Sequence, residues 1–297
     1  AGKSTLTDKL IGRIRKEDVE VGVLAIDPSS PFSGGAILGD RVRMQDHATD
    51  PGVFIRSMAT RGHLGGLSLA TPQAVRVLDA AGKPWVLIET VGVGQVEIEV
   101  AGAADTTMVV VNPGWGDAVQ AAKAGLLEIA DVFVVNKADR PGADRLRNEI
   151  EIMLGMRGGS TMRNVPAHHG VDLSRNNLVR QVREAARSDD AELWTPPVLR
   201  TVAAKEEGID EVVEALDRHF RYLERSGTLR ERRRARLRER VVEVVEDKAR
   251  RRLWGDAATN AWLEERLPAL EAGEATPFGI ADALLNRSAD LLTRTTK

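Results

Sequence analysis

Short apolar runs alternate along the chain with longer stretches of helical periodicity. The runs are rich in Val, Ile and Leu and show little alternation with polar residues; they occupy residues 21–26, 53–55, 85–88, 108–111, 132–135 and 198–202. Strands of this composition are covered on both faces, as in a parallel sheet. The stretches at 5–16, 71–81 and 118–129 have the length of crossover helices. The pattern predicts an α/β fold with a mostly parallel, doubly wound sheet and helices on both faces.

The pattern changes after Gly227. Apolar residues recur there at helical spacing through an Arg- and Glu-rich segment, which predicts a long amphipathic helix. Two further helices are predicted at 258–270 and 277–292, the last with Thr276 as its N-cap and a proline at its first position. The end of the chain is therefore predicted to be entirely helical.

These two patterns divide the chain into two predicted domains. We assign residues 1–226 to the α/β domain and residues 227–297 to a helical extension that serves interaction. Within the first domain, residues 157–190 fit neither pattern apart from a short helix near 178–186, and we assign no role to them.

Composition narrows the class of protein. Cysteine is absent, which excludes disulfides, thiolate zinc sites and cysteine nucleophiles. The net charge is −2, which gives no general reason to expect a nucleic acid or an anionic membrane as partner. No apolar run is long enough to span a bilayer. We therefore expect a cytoplasmic protein that binds neither nucleic acid nor membrane.

The first candidate site stands at the start of the chain. Gly2, Lys3, Ser4 and Thr5 match the second half of a G-x-x-x-x-G-K-[ST] phosphate loop. Backbone N–H groups of such a loop bind phosphate oxygens, Lys3 would bridge the β- and γ-phosphates, and the Ser4 hydroxyl would bind Mg²⁺. Taken alone, an exposed helix start is an equally good interpretation. We expect the natural chain to begin further upstream, with the buried strand that normally precedes this loop and without which the sheet would have a gap at its centre.

A second candidate site follows the fifth apolar run, at Asn136-Lys137-Ala138-Asp139. One carboxylate can accept hydrogen bonds from both N1–H and N2–H₂ of guanine, a donor pair that adenine lacks, so Asp139 is the candidate guanine reader. Asn136 would brace the loop and reach N7, and the Lys137 stem would lie over the purine. Ala203, after the sixth run, would direct its backbone N–H at guanine O6. The structural alternative is an ordinary turn after a buried strand.

Acidic residues after other runs provide candidate metal ligands. Glu89 and Asp27 each end an apolar run, where a carboxylate can hold Mg²⁺ directly or through water. Gly92 would let the backbone approach the γ-phosphate. Asp40 and Arg43 follow a loop rich in Ser, Pro and Gly and belong to a candidate first switch. Strand-end caps and a solvated helix start are the corresponding structural alternatives.

The candidate residues define a mechanism of phosphoryl transfer to water. Lys3, Asp40, Glu89 and Gly92 are the catalytic candidates, with Mg²⁺ and Lys3 neutralising the charge that develops on the γ-phosphate. No arginine in the chain qualifies as a finger in cis, so we expect slow intrinsic turnover of GTP to GDP and phosphate.

Taken together, these segments resemble the methylmalonyl-CoA mutase-associated GTPase chaperones of the MeaB/ArgK type, which have the P-loop NTPase fold. The resemblance covers residues 1–149 and 196–216 and fits the helical extension more loosely. The segments that carry it are Asp27-Pro28-Ser29-Ser30-Pro31-Phe32-Ser33-Gly34-Gly35, Leu38-Gly39-Asp40-Arg41-Val42-Arg43-Met44, Glu89-Thr90-Val91-Gly92-Val93-Gly94-Gln95 and Asn136-Lys137-Ala138-Asp139.

The resemblance implies a specific function. Members of this family are homodimeric GTPases that gate delivery of adenosylcobalamin to methylmalonyl-CoA mutase and protect the mutase from inactivation, and their helical tail generally serves dimerisation. A segment that resembles residues 112–123 relays the nucleotide state to the partner. The family's functional positions correspond here to Lys3, Ser4, Asp27, Asp40, Glu89 and Asp139.

Three alternatives remain open from the residues alone. A nickel- or other metal-insertion GTPase shares the nucleotide scaffold, with His168 and His169 as the metal candidates. A P-loop kinase is the second alternative, against which the guanine reader argues. The third is RNA binding by the Arg-rich segment 230–252, whose arginines are interleaved with Glu and Asp as in a salt-bridged helix face.

Overall fold

The computed structural model of the protein shows an α/β fold followed by helices. Contacts divide the chain into two compact units, Ala1–Arg236 and Leu237–Lys297. The structure describes residues 1–27, 44–47, 49–59, 64–90, 102–114, 126–158 and 194–288.

The described strands of the first unit pair in parallel and form two sheets of three. One sheet has the order β2-β1-β3 and the other β4-β5-β6. Every predicted apolar run is a strand, which confirms that part of the pattern. The strands are β1 (Val21–Asp27), β2 (Val53–Ala59), β3 (Trp85–Thr90), β4 (Met108–Val111), β5 (Val132–Asn136) and β6 (Val198–Thr201).

The helices confirm the predicted crossovers at 5–16 and 71–81. Of the predicted crossover at 118–129 the structure describes only residues 126–129, which are helical. Two short 3-10 turns lie at Gln45–His47 and Ala203–Lys205. The described helices are α1 (Lys3–Arg15), α2 (Leu64–Ala80), α3 (Leu126–Ile129), α4 (Ala143–Gly158), α5 (Ile209–Arg225), α6 (Thr228–Trp254), α7 (Ala257–Glu264), α8 (Leu267–Glu271) and α9 (Pro277–Arg287). None of them is long and apolar enough to cross a membrane.

Strand β5 shows why its apolar run lacks polar alternation. Phe133 and Val135 pack on one face of the sheet against α4, in a cluster that includes Ile150. Val132 and Val134 pack on the other face against α1 and α5. Because successive side chains of a strand point to opposite faces, a strand covered by helices on both faces needs apolar residues at every position.

Helix α1 packs against both three-stranded sheets. Its residues Leu6 and Leu10 belong to the cluster around β5, whereas Ile11 and Ile14 pack with Val21 and Val23 of β1. The opposite face of β1 carries Leu24 and Ile26, which pack against Leu78 of α2. A single helix that starts at the candidate phosphate loop therefore supports the strands of both sheets.

The start of α6 is fixed to the residues before β4 and β5 by ion pairs. Asp105 accepts from Arg233 Nη2 at 2.5 Å and also pairs with Arg236. Asp131, which is buried, lies 3.5 Å from Arg232 Nη2 and accepts at 2.9 Å from the backbone N–H of Thr107. Burial raises the pKa of the Asp105 carboxyl, but the bonds from Arg233 and Arg236 outweigh it and hold that pKa below its ordinary value.

The second unit consists of helices whose ends carry clear caps. Asp256 accepts from the backbone N–H of Thr259 at 2.9 Å and begins α7. Thr276 accepts from the backbone N–H of Gly279 at 3.1 Å and begins α9, which confirms the predicted N-cap.

The single helix predicted at 258–270 is wrong, because the structure has two helices there. α7 ends at Glu264, and α8 begins at Leu267 with a proline in its first turn. The ring of Pro268 supplies no N–H for the bond that would continue α7, whereas proline is well suited to the start of a helix.

Candidate functional site

The turn before α1 places a glycine where no other residue fits. Gly2 has the left-handed backbone φ 85°, ψ 31°, and α1 begins directly after it at Lys3. A Cβ atom on Gly2 would stand 2.7 Å from Nδ2 of Asn136. Glycine is therefore required by the backbone conformation and by the close approach of the Asn136 side chain. The first N–H groups of an α-helix have no partner within the helix, so this start is suited to phosphate oxygens.

Asn136 joins the candidate phosphate segment, residues 2–5, to the candidate base-binding loop, residues 136–139. Its side chain is buried at the carboxyl end of β5. Nδ2 donates to the carbonyl oxygen of Ala1 at 3.0 Å. Oδ1 accepts at 3.1 Å from Thr201 Oγ1 and at 3.1 Å from the backbone N–H of Ala203. The two candidate segments are therefore adjacent, and Asn136 hydrogen-bonds to the chain on both sides of their junction.

The turn after β5 presents Lys137 and Asp139 near this junction. Lys137 is left-handed with φ 57°, and its Cε lies 3.7 Å from the position of a Cβ on Gly2. The Lys137 side chain therefore passes beside the phosphate segment. Asp139 is exposed, and its Oδ2 lies 3.7 Å from Nζ of Lys205.

The loop after β6 closes on itself in a tight bend. The backbone N–H of Val202 donates to Glu207 at 3.1 Å, and that of Lys205 donates to Val202 at 2.8 Å. Gly208 has φ 77°, and a Cβ there would overlap the carbonyl oxygen of Arg200. The bend therefore requires glycine at this position, directly before α5 begins.

Ion pairs hold this loop and the first turn of α5 against α1. Lys9 Nζ lies 3.4 Å from Glu206, and Arg13 pairs with Asp210. Burial lowers the pKa of the Lys9 ammonium, but the pairs with Glu206 and Asp8 outweigh burial. The pKa of Lys9 is therefore above its ordinary value. The helix that starts at the phosphate segment is therefore tied to the loop that starts at Ala203.

The carboxyl ends of β1 and β3 carry the candidate metal acids. Asp27 ends β1 opposite Ala59, and Glu89 of β3 is buried opposite Ala25 of β1. Ser4 in the first turn of α1 is also buried. A hydroxyl and carboxylates are the hard oxygen ligands that Mg²⁺ prefers, so the chemistry of this donor set fits the metal.

Several predicted positions lie outside the described residues. Asp40, Gly92, His168 and His169 are among them, as is most of the segment 112–123. In that segment, the described Asn112 donates to the carbonyl oxygen of Pro113 at 3.2 Å. Within the described ranges, no group of three or more His, Asp or Glu residues could hold a metal ion.

Two contacts of the site were not anticipated from the sequence. Thr201 is buried and donates its hydroxyl to Asn136, and Lys205 pairs with Asp139. The signal for Thr201 was a hydroxyl residue at the end of β6, the strand next to β5. Lys205 stood directly after the predicted base contact at Ala203, but sequence spacing does not give the direction of a side chain.

Comparison with known proteins assigns the family. The family described as "Methylmalonyl Co-A mutase-associated GTPase MeaB" matches residues 1–258. A protein of Pyrococcus abyssi that carries the name of a GTPase is 51% identical over 245 residues, which are 82% of this chain and 67% of that protein. The GTPase ArgK of Escherichia coli is 33% identical over 278 residues, covering 93% of this chain and 76% of ArgK.

A solved structure supports the fold. The crystal structure described as an LAO/AO transport system kinase matches with a TM-score of 0.63 at 24% sequence identity, covering 99% of this chain and 78% of the other. At this identity the match shows the fold alone, and it agrees with the predicted P-loop architecture. The chain belongs to the MeaB family of P-loop GTPases, and its activity is the hydrolysis of GTP.

Proposed function

We propose that one guanine nucleotide bridges the phosphate segment and the turn after β5. Its phosphates lie at Gly2, Lys3, Ser4 and Thr5, and its base lies against Asn136, Lys137 and Asp139. The observation that carries this proposal is the hydrogen bond of 3.0 Å from Asn136 Nδ2 to the carbonyl oxygen of Ala1, which makes the two segments neighbours.

The backbone N–H of Ala203 has a further part in this proposal. It donates to Asn136 Oδ1 at 3.1 Å and stands at the start of the loop beside the base. In this proposal guanine O6 also accepts a hydrogen bond from the Ala203 N–H, either in place of Asn136 Oδ1 or together with it. Asp139 supplies the acceptor that separates guanine from adenine.

Hydrolysis in this proposal breaks the bond between the γ-phosphorus and the bridging oxygen of GDP while water attacks the γ-phosphorus. Lys3 neutralises charge on the β- and γ-phosphates. Ser4, Asp27 and Glu89 would hold Mg²⁺, which supplies further charge neutralisation when bound. Asp40 and Gly92 complete the proposed catalytic set, and we expect intrinsic turnover to be slow.

The site assignment is tested by removing the charge of Lys3. Lys3→Ala is expected to lower GTP affinity and hydrolysis by more than about tenfold, because one ammonium no longer faces the phosphates. The matched control is Lys16→Ala, which removes an exposed lysine from the other end of α1 and leaves hydrolysis unchanged. Equal activity of the two variants would contradict the assignment.

We infer that the protein serves as a G-protein chaperone of methylmalonyl-CoA mutase, gating adenosylcobalamin delivery and protecting the mutase from inactivation in the cytoplasm. The support is membership of a family whose description names association with that mutase. The nucleotide state would reach the mutase through the segment 112–123, which continues from β4.

The helical extension at 227–297 is the proposed dimerisation arm. Apolar side chains on α6 are exposed, among them Leu237, Val241 and Val245. An exposed apolar row on a helix is stabilised when a second surface covers it. A homodimer through this arm is the arrangement that the family resemblance implies.

Co-purification with methylmalonyl-CoA mutase tests the chaperone proposal. The protein is mixed with the mutase in GDP or in a non-hydrolysable GTP analogue, and complex formation is measured by gel filtration. The proposal predicts a complex whose amount depends on the nucleotide. Absence of a complex in both nucleotide states would overturn the chaperone role and leave the GTPase activity unaffected.

A further inference from the structure

We propose that Lys205 is a positioning residue that holds the carboxylate of Asp139 in the orientation needed for both donors of guanine. This inference rests on the proposed base site and deepens it. It identifies a determinant of nucleotide specificity on the loop after β6, opposite the turn that carries Asp139.

The ion pair joins the two loops at their exposed tips. Nζ of Lys205 lies 3.7 Å from Oδ2 of Asp139, and the side chains are 58% and 45% exposed. Among the residues that the structure describes, Lys205 is the cation paired with this carboxylate. The pair spans from the turn after β5 to the turn after β6, so it sets the direction of Asp139 relative to the neighbouring loop.

Asn136, which joins the two candidate segments, also fixes the backbone that carries Lys205. Lys205 ends the 3-10 turn that begins at Ala203, and the Ala203 N–H donates to Oδ1 of Asn136 at 3.1 Å. The following residue, Glu206, is left-handed and pairs with Lys9 of α1 at 3.4 Å. The lysine stem therefore extends from a rigid base toward Asp139.

A fixed carboxylate matters because guanine is read by two hydrogen bonds at once. An exposed aspartate side chain samples several rotamers, and only some of them present both oxygens to N1–H and N2–H₂. An ionised carboxylate offers about four lone-pair positions, so two guanine donors and the Lys205 ammonium can share it. The Lys205 ammonium holds one carboxylate oxygen and so restricts the rotamers of Asp139 before guanine binds. Less side-chain entropy is then lost on binding.

Lys205→Met tests the proposal because it keeps the apolar stem and removes the charge. Dissociation constants are measured by calorimetry for GDP and for inosine diphosphate, which lacks the 2-amino group. We expect GDP affinity to fall about two- to fivefold, the range of an exposed ion pair, and inosine diphosphate affinity to fall less, because a single hydrogen bond tolerates a looser carboxylate. Lys205→Arg is expected to restore the GDP preference.

The matched control is Lys16→Met. It removes the charge of an exposed lysine at the end of α1, outside the loop and the turn that carry Lys205 and Asp139. We expect the ratio of GDP to inosine diphosphate affinity to stay at the wild-type value. An equal change of this ratio in the Lys16 and Lys205 variants would overturn the positioning role.

The double variant with Asp139→Asn separates this inference from the site on which it rests. If Lys205 acts through Asp139, adding Lys205→Met to Asp139→Asn has no further effect on the affinity ratio. Equal loss of affinity for GDP and for inosine diphosphate in Lys205→Met would overturn the positioning role of Lys205 and leave the proposed base site unaffected. If Asp139→Asn itself leaves base preference unchanged, the proposed base site is wrong.

Discussion

Nδ2 of Asn136 donates a hydrogen bond of 3.0 Å to the carbonyl oxygen of Ala1. This contact crosses from the carboxyl end of β5 to the residue before the phosphate turn. Because the oxygen of the same amide accepts from Thr201 and Ala203, one buried side chain joins the candidate phosphate-binding segment to the candidate base-binding segment.

Asn136→Ala is expected to lower both stability and nucleotide affinity. The change leaves the Ala203 N–H and the Thr201 hydroxyl without their acceptor, and unsatisfied buried groups of this kind cost about 2–4 kcal/mol together. The free energy of unfolding, from urea denaturation, and the Kd for GDP are the measurements.

A second variant separates the local effect from general destabilisation. Leu223→Ala truncates a fully buried side chain of α5 and is expected to cost about 2–5 kcal/mol. We expect it to retain GDP affinity under conditions where it stays folded. Similar affinity losses in the Asn136 and Leu223 variants would contradict the joining role of Asn136.

Two glycines with nearly equal φ predict different costs of substitution. Gly208 has φ 77° and Gly227 has φ 75°. A Cβ on Gly208 would overlap the carbonyl oxygen of Arg200, whereas a Cβ on Gly227 would lie in open space. Gly227→Ala is expected to cost about 1–2 kcal/mol from the left-handed backbone. Gly208→Ala is expected to cost about 1–3 kcal/mol more, because the loop also has to shift. Urea denaturation measures both, and equal costs would show that the bend is not tightly packed.

The pairs at Asp105 predict a pH-dependent contribution to stability. The carboxyl has a folded pKa below its ordinary value of 3.8, so its contribution to stability is present above that value and is lost as pH falls through the folded pKa. Asp105→Asn is expected to cost about 1–3 kcal/mol at pH 7, because two arginines lose a charged acceptor.

The difference between wild type and Asp105→Asn is expected to shrink below about pH 4, where the unfolded chain binds the proton. Unfolding free energies at pH 7, 5, 4 and 3.5 measure it. Asp217→Asn, which removes an exposed ion pair with Arg221 on α5, is the control and is expected to cost less than about 0.5 kcal/mol. A difference that stays constant from pH 7 to 3.5 would contradict this account of Asp105.

The strands could be predicted from sequence because both of their faces are buried. Val132, Phe133, Val134 and Val135 have no polar neighbour to interrupt them, and the structure packs them alternately against helices on the two faces. The division of 258–270 into two helices does not follow from the apolar spacing, because that spacing continues across Pro268 while the proline ring removes a backbone N–H locally.

The candidate site was predictable where it depends on backbone position and not where it depends on side-chain direction. The neighbourhood of Gly2 and Asn136 follows from parallel strands that end at one edge. The pairing of Lys205 with Asp139 joins two loops whose side chains could point in many directions. Which side chains of the two loops meet depends on the bend between Val202 and Gly208, and this bend exists only in the folded protein.

The base preference of Asp139→Asn tests whether a guanine base lies against Asp139. Asparagine offers one acceptor and one donor where aspartate offers two acceptors, so it matches the additional carbonyl of xanthine and loses a bond to guanine. Kd values for GDP and xanthosine diphosphate are measured for wild type and variant. We expect wild type to prefer GDP and the variant to prefer xanthosine diphosphate by at least about tenfold. An unchanged preference for GDP would contradict a guanine nucleotide that lies between Lys3 and Asp139.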